Sequence, residues 1–589
     1  MQKLFEFYIK NLERYTSEGL KIQKRLKILS YSRLAMFAAT IIAVYFLWFD
    51  VKLATLSAFL GMGTFLFLVR YYEDVKQKYR FTHALTKINS TELDVLKYDF
   101  DTLPDGAEFI DANHDYSQDL DLFGKGSFFQ YMNRTQLDDG TNYLSELINS
   151  NNVESIIAKQ ETVDELARKP EWRQNYTAKA MLIKSESTTK EIVNWLNKHT
   201  PFVPKVMRYL PWLFLGVTIA LCALLFLASW SFSLFIFWIV LGLGITARYY
   251  RQISLLARRA DKVKAVFKQY SKLMAYIEET NFDGAQLKYQ KQKLLVGDKN
   301  ASATVKEFGK LLDVMDYNNN VFYAIFGNGC FLGALRTAYQ IETWIKKHKD
   351  NVPDWFEVIA FFDAYNSLGN FSFNHPLYTY PIVQEGRVSL ACKKAGHAMI
   401  PADKNIRNDF QIGQENFFII TGSNMAGKST FLRTVGLAIV IANMGLPVCA
   451  EECFYSPIKL MTSMRSIDSL TKGDSFFLSE LKRLRKIVTA LKSERYFVLL
   501  DEILKGTNSM DKASGSKKFL ARLVKERATG LIATHDLSLC SSAKDFKQIH
   551  NYYLDASIEN DELYFDYLLK RGVSKTMNAS FLLEKMDIV

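Results

Sequence analysis

Two clusters in the last third of the chain have residue types and spacings suited to phosphate chemistry. The first is Gly422-Ser423-Asn424-Met425-Ala426-Gly427-Lys428-Ser429-Thr430. It follows the apolar run Phe417-Phe418-Ile419-Ile420-Thr421, which reads as a buried strand, and leads into a helical pattern. In a strand–glycine loop–helix setting, Gly422 and Gly427 let the loop turn its N–H groups toward a phosphate, with the positive helix end behind. Lys428 is then expected to bridge the β- and γ-phosphates of ATP, and the Ser429 hydroxyl to ligate Mg2+. The second cluster ends the run Tyr496-Phe497-Val498-Leu499-Leu500 with Asp501 and Glu502. A strand ending beside the loop would let Asp501 hold Mg2+ through water, and Glu502 orient and polarise the attacking water.

A third strand-like run, Leu531-Ile532-Ala533-Thr534, ends in His535. A lone His at a strand end is most often structural. This one follows a phosphate loop and an acidic pair in the order seen in ABC-type ATPases, so a role sensing the γ-phosphate is expected. The elements that must position these groups are legible too. The runs 417–421, 496–500 and 531–534 alternate with helical patterns over 429–444, 476–492 and 514–527. Such alternation predicts a mainly parallel sheet with covering helices.

The first half has another texture. Of 589 residues 49% are hydrophobic and 14% aromatic, and the excess concentrates in two tracts. Leu34–Phe49 and Leu53–Val69 are apolar arms around Asp50-Val51-Lys52, and no charged residue lies between Arg208 and Arg248. The second tract divides near Ser229-Trp230-Ser231. Each arm of the first is at the short end for a span, which needs about 20 residues. Basic residues flank both: Lys21, Lys24, Arg25, Lys27 and Arg33, then Arg70 and Lys76; Lys205 and Arg208, then Arg248, Arg251, Arg258 and Arg259. Two transmembrane hairpins that enter and leave from the cytoplasm are therefore expected, with buried helices of a soluble core as the alternative. The net charge of +12 is less a nucleic-acid signal than it first looks, since much of the base sits beside these tracts.

Beyond the second tract, Leu256, Val263, Val266, Phe267, Tyr270, Leu273, Met274 and Ile277 recur at helical steps and predict an amphipathic helix facing a partner helix. The six cysteines are scattered. Cys449 and Cys453 have a metal-like spacing but no second pair nearby, so small buried residues are expected.

Together these motifs resemble the MutS family. The loop from Thr421 to Arg433 has that family's Asn424-Met425 pair, although Ser423 stands where Pro is usual. The segment Leu500–Asp511 resembles its acidic strand, and Ala533-Thr534-His535 its switch histidine. Gly473-Asp474-Ser475-Phe476-Phe477-Leu478-Ser479-Glu480-Leu481 is similar to its signature segment. The resemblance implies that Ser475 contacts the γ-phosphate held by an opposite subunit, so that hydrolysis needs a homodimer with composite sites. An adenine pocket is expected near Asn405 and Ile406. A second likeness, to the helical core of MutS proteins, covers Asn133-Arg134-Thr135, Gly140, Leu144 and Lys159–Leu166.

The departures lie elsewhere. No Phe-x-Glu wedge, which reads mismatches in relatives, occurs between Met1 and Gln130, and the second apolar tract stands where relatives carry a DNA clamp. Gly572-Val573-Ser574-Lys575 fits the family, but Met577-Asn578 replaces its usual Tyr-Gly, and no room for a further dimerisation module is expected. The expected fold is an α/β ABC-type P-loop ATPase domain (residues 386–589) attached to a mostly helical core and lever region. The divisions before it are a basic segment (1–33), hairpin 1 (34–69), core (70–208), hairpin 2 (209–247), and lever with core (248–385). The implied function is a multi-pass membrane ATPase, its ATPase domain facing the cytoplasm. Family-implied binding of mismatched or branched DNA is one version; transport or remodelling without DNA is the other.

Overall fold

The computed structural model describes residues 2–183, 188–227, 232–465, 476–559 and 562–574. Ser475, the bend near Ser229–Ser231 and the Met577-Asn578 departure lie outside them.

Helices α1 (Gln2–Phe46) and α2 (Val51–Val95) have 45 residues each, about 68 Å at 1.5 Å per residue. They pair antiparallel, as the Gly19–Thr82, Gly61–Thr40 and Arg33–Tyr72 contacts require. Asp50 stops the chain between them: its Oδ1 accepts from Lys52 N (3.0 Å) and Leu53 N (3.3 Å) and caps α2. The expected divisions at 33/34 and 69/70 are not structural boundaries, because one uninterrupted helix carries both the basic and the apolar stretch. Nothing in those residues breaks a helix, so polarity changes without a change of backbone. Both helices are long and apolar enough to cross a bilayer.

The second apolar tract forms α3 (Leu210–Leu227) and α4 (Phe232–Ala247). The apolar part of α3 and the whole of α4 fall short of a span, unless α4 and the following α5 (Tyr250–Glu278) count as one span bent by 66°. The sequence favours the second tract as membranous, whereas by helix length the first is the stronger candidate. Helix α5 buries all eight residues of the predicted stripe. It packs against α6 (Ala301–Asp316), α7 (Gly333–His348) and α8 (Val352–Asn374).

Helix α8 is buried on nearly every face, so its polar residues must find partners inside. Asp363, Ser367, Asn370 and Asn374 form a stripe along it. Asp363 Oδ2 accepts from Gln136 N and Leu137 N (2.9 and 3.0 Å), and Ser367 Oγ from Arg134 N (3.0 Å). Asn370 Oδ1 accepts from Arg173 Nη1 (2.9 Å), and Asn374 Oδ1 from the Tyr8 hydroxyl (2.7 Å). Glu92 of α2 closes the set, held by Arg134 Nε at 2.6 Å and Asn374 Nδ2 at 2.8 Å. The 133–140 segment singled out in the sequence is thus the part wrapped on α8; a Cβ on Gly140 would collide with Asp363.

The C-terminal region is α/β. Its small sheet contains β1 (Ile382–Val383), β2 (Val388–Ala395), β3 (Asn408–Gly413) and β5 (Glu452–Tyr455), in the order β1-β5-β2-β3. Because β1 belongs to it, the α/β region begins before the expected boundary at 386. The larger sheet has β4 (Phe417–Thr421), β6 (Lys459–Ser463), β7 (Tyr496–Asp501), β8 (Thr529–Ala533), β9 (Ile549–Glu559) and β10 (Glu562–Arg571). Its order is β10-β9-β4-β8-β7-β6, parallel except for the β9–β10 pair. Helices α9 (Lys428–Asn443), α10 (Phe476–Leu491) and α11 (Ser509–Lys525) accompany it. The strands β4, β7 and β8 and the three helices fall within a few residues of their predicted positions. The small sheet and the β9–β10 pair were not foreseen.

Cys392 of β2 and Cys453 of β5 face each other, Sγ to Sγ at 3.1 Å, and all six cysteines are free thiols. All but Cys222 are buried, as expected of small apolar residues.

Candidate functional site

The parallel register brings three strand ends together. Strand β8 lies between β4 and β7, with Ala533 opposite both Ile420 and Asp501. Each strand leaves the sheet at the same edge, so the Gly422–Gly427 loop, the Asp501-Glu502 pair and His535 emerge side by side. Ligands of open α/β sheets bind at this carboxyl edge.

Glycine is required at both ends of the loop. Gly422 has φ 152° and a Cβ there would sit 2.5 Å from Leu554 O. Gly427 has φ 93°, and its Cβ would sit 2.9 Å from the Tyr567 ring. Between them Met425 is left-handed (φ 68°) and its side chain is exposed, as is that of Asn424, while Ala426 is fully buried. Lys428 folds back over the loop. Its Nζ donates to Gly422 O and Ser423 O, both at 2.9 Å, and stands 3.3 Å from His535 Nε2. Burial lowers its pKa, opposed by Glu502 and Asp501.

One residue on, the Ser429 hydroxyl donates to Asp501 Oδ2 at 2.6 Å. Burial raises the Asp501 pKa; the Ser429 bond, Lys505 and Lys428 pull it down, and Glu502 adds to the rise. Glu502 Oε1 lies 2.7 Å from His535 Nε2, and Lys505 Nζ is 3.5 Å from its other oxygen. The His535 pKa is lowered, first by burial and then by Lys428. Both neighbours face the same nitrogen, so in the neutral imidazole Nε2 either donates to Glu502 or accepts from Lys428, according to the tautomer. Thr430, next along α9, lines a neighbouring cavity.

The backbone after the acidic pair is strained. Glu502 and Leu504 are both left-handed (φ 48° and 61°), each conformation costing on the order of 1–3 kcal/mol. Glu502 N is tied to Ala533 O at 2.9 Å. Leu504 N donates to Glu480 Oε1 at 2.5 Å, and Glu480, on α10, is buried. The described part of the signature-like segment, Phe477–Glu480, thereby packs on the turn that aims Glu502.

Beside the loop lies a cavity of about 380 Å³ lined by His397, Asn405, Ile406, Met425, Thr430 and Tyr567, among others. Asn405 and Ile406, expected near an adenine pocket, are both in its wall. Asn405 is nevertheless engaged elsewhere: its Oδ1 accepts from His397 N (3.1 Å) and its Nδ2 donates to His397 O (2.8 Å). It shapes the wall, with Ile406 as an exposed apolar face. Burial and Arg433 push the His397 pKa down to about 4.

Sequence reasoning missed two parts of the site. Tyr567, on β10, covers Gly427 from the far edge of the sheet, a long-range contact with no local signal. The other is an acidic strap. Asp119 accepts from Met464 N (3.1 Å) and Arg465 N (2.7 Å), and Asp115 O from Thr462 N (2.9 Å). Arg433 on α9 reaches Asp119 O at 3.2 Å and Asp121 at 3.4 Å. The strap thus joins the helix behind the Gly422–Gly427 loop to the helical core. The recurrence of Asp111, Asp115 and Asp119 was the available clue.

An α/β region with charged side chains gathered at one carboxyl edge is the class defined so far. Residues 418–584 match the family model for MutS domain V. Among curated proteins, DNA mismatch repair protein MutS of Thermotoga petrophila is 29% identical over 323 residues, 53% of this chain and 38% of that one. The Thermotoga maritima protein of the same name is 32% identical over 235 residues, 39% of this chain and 29% of that one. The one from Desulfatibacillum aliphaticivorans is 28% identical over 294 residues, 48% and 31% of the two chains. The match spans only 29–38% of the length of these relatives. The family model over 418–584 and relatives matching about half of the chain support a MutS-family member, with a C-terminal region similar to MutS domain V.

Proposed function

We propose that this chain is a membrane-anchored ATPase of the MutS family, acting as a homodimer whose nucleotide cycle moves its helical arms. The observation that carries this is the meeting of Lys428, Ser429, Asp501, Glu502 and His535 at one sheet edge. ATP would lie along Gly422–Thr430, its phosphates taking the loop N–H groups and the Lys428 ammonium in place of the loop carbonyls. The Ser429 hydroxyl and Asp501 carboxylate are hard oxygen donors already 2.6 Å apart, which fits Mg2+. Bound there, Mg2+ would neutralise phosphate charge. Glu502 would orient and polarise the attacking water, and His535 would report the γ-phosphate. Ser475 of a second copy would complete each site.

The strap from Asp115 to Asp121 is the route by which this cycle would reach the helical core, since it grips α9 and β6 together. Helices α1 and α2 would span the membrane and the α3–α4 pair would enter it, with residues 386–589 in the cytoplasm. By family, the work done concerns mismatched or branched DNA. The exposed apolar faces of α1–α4 favour a second reading, transport or remodelling without DNA.

Two measurements test this. Glu502→Gln should abolish turnover while ATP still binds; unchanged turnover would remove Glu502 from the mechanism. Binding of mismatched and branched duplexes across a salt series separates the two readings. Contacts made by Lys and Arg weaken steeply with salt, and absent or salt-insensitive binding would leave the reading without DNA.

A further inference from the structure

We infer that residues 321–332, which the sequence places in the soluble lever, form a third lipid-inserted element, a short re-entrant wedge docked on α3 and α4. This deepens the membrane reading and rests on it. No charged residue lies between Asp316 and Arg336. The segment is helical over 321–331, with a π-turn at Tyr323–Gly327, and is stopped by Leu332 in the left-handed region (φ 49°). Four of its apolar side chains point outward: Val321 is 70% and Phe322 76% exposed, and Ile325 and Phe326 are also exposed, while Cys330 and Leu332 are buried.

This surface continues that of α3 and α4, where Leu213, Ile219, Phe237 and Val240 are exposed. The joint between them is built from small residues. A Cβ on Gly242 would strike Gly329 O, and one on Gly329 would sit 2.7 Å from Ile239. Close approach through Gly is how helices associate inside lipid, where apolar burial supplies no drive.

The backbone breaks are satisfied from within, as a bilayer demands. The Thr218 hydroxyl donates to Cys330 O at 2.8 Å, and Trp238 Nε1 donates to Thr218 at 3.1 Å. Asn328 bridges the π-turn, giving Nδ2 to Ala324 O (3.0 Å) and taking Ala334 N on its Oδ1 (2.8 Å). The base of the assembly has an interfacial make-up. Tyr209, Trp212, Tyr250 and Tyr317 are exposed there, and Arg336 stacks over Trp212 at 4.3 Å. With Arg208, Arg248 and Arg251 nearby in the chain, these aromatics suit a headgroup layer carrying negative charge.

The test uses the full wild-type chain in phosphatidylcholine–phosphatidylglycerol vesicles with a lipid-borne photoactivated carbene, read by mass spectrometry of tryptic peptides. Peptide 209–248 reports the α3–α4 pair, 311–336 the wedge, and 273–288 the soluble core. The inference expects label on the first two and none on the third, and several-fold less label on 311–336 in Phe322→Asp, because a carboxylate resists hydrocarbon. Label on 209–248 alone overturns the wedge and leaves the membrane reading standing. Label on neither overturns the wedge and the membrane entry of α3 and α4, while peptide 53–70 reports separately on α2. Crosslinks from 311–336 to a second copy, without lipid adducts, also overturn the wedge.

Discussion

The two apolar helix pairs differ in how they are held. Helices α1 and α2 run unbroken for 45 residues each and touch the rest of the protein mainly at their base. There Tyr8 and Glu92 plug into the polar stripe of α8. Their apolar windows are only 6% and 11% buried. Helices α3 and α4 are short and docked on 321–332 through their halves nearer the core, and α4 turns by 66° into the buried helix α5. The first pair is held by one polar root. The second is joined to the core through α5, so a displacement of α5 would carry α4 with it.

The largest effect should come from breaking the polar root of the α1–α2 pair. Arg134→Ala leaves Glu92, 2% exposed, as an uncompensated buried charge, a loss of about 3–5 kcal/mol. The midpoint of denaturant unfolding in detergent would show it. A loss near zero would mean that the root carries no weight.

A smaller effect separates the pairs directly. Gly242→Ala sets a methyl against the backbone at Gly329, which has nowhere to move, whereas Gly61→Ala meets only the Thr40 side chain. Overpacking costs about 1–3 kcal/mol, so Gly242→Ala should destabilise at the upper end of that range and Gly61→Ala less. Equal costs would erase the distinction between a backbone-packed pair and a loosely packed one.

A third effect, spread over a pH range, is a slope in stability at the α8 stripe. Burial raises the Asp363 pKa from 3.8 to about 7, opposed by the Leu137 and Gln136 N–H bonds. The folded state therefore holds a proton that the unfolded state releases at lower pH. This stabilising contribution is full below about 4 and is lost as pH rises toward about 7. Asp363→Asn should flatten the dependence of thermal midpoint on pH across that window, while keeping an oxygen for the two N–H donors.

Legibility in the sequence followed the range of the interaction. Strand β4, the loop and α9 were readable because apolar spacing and glycine placement act within a few residues. The eight-residue stripe of α5 was readable for the same reason. The role of Gly140 was visible only as a likeness, since its cause, Asp363, lies far along the chain. The wedge at 321–332 was passed over because it is shorter than a span and interrupted by Asn328 and two glycines. Those residues are what allow it to dock.

By itself, then, the sequence determined the glycine loop after a strand, the acidic pair and the histidine at their strand ends, and the two apolar tracts, each through local spacing and polarity. Tertiary structure alone decided that β8 separates β4 from β7, so that His535 stands between Lys428 and Glu502. It decided that Tyr567 closes over Gly427, that Asp119 ties the core to α9 and β6, and that one apolar tract forms two long unbroken helices and the other two short ones joined to α5. These depend on strand order and on contacts between residues hundreds of positions apart. Such contacts form only when the whole chain packs, and no window of neighbouring residues encodes them.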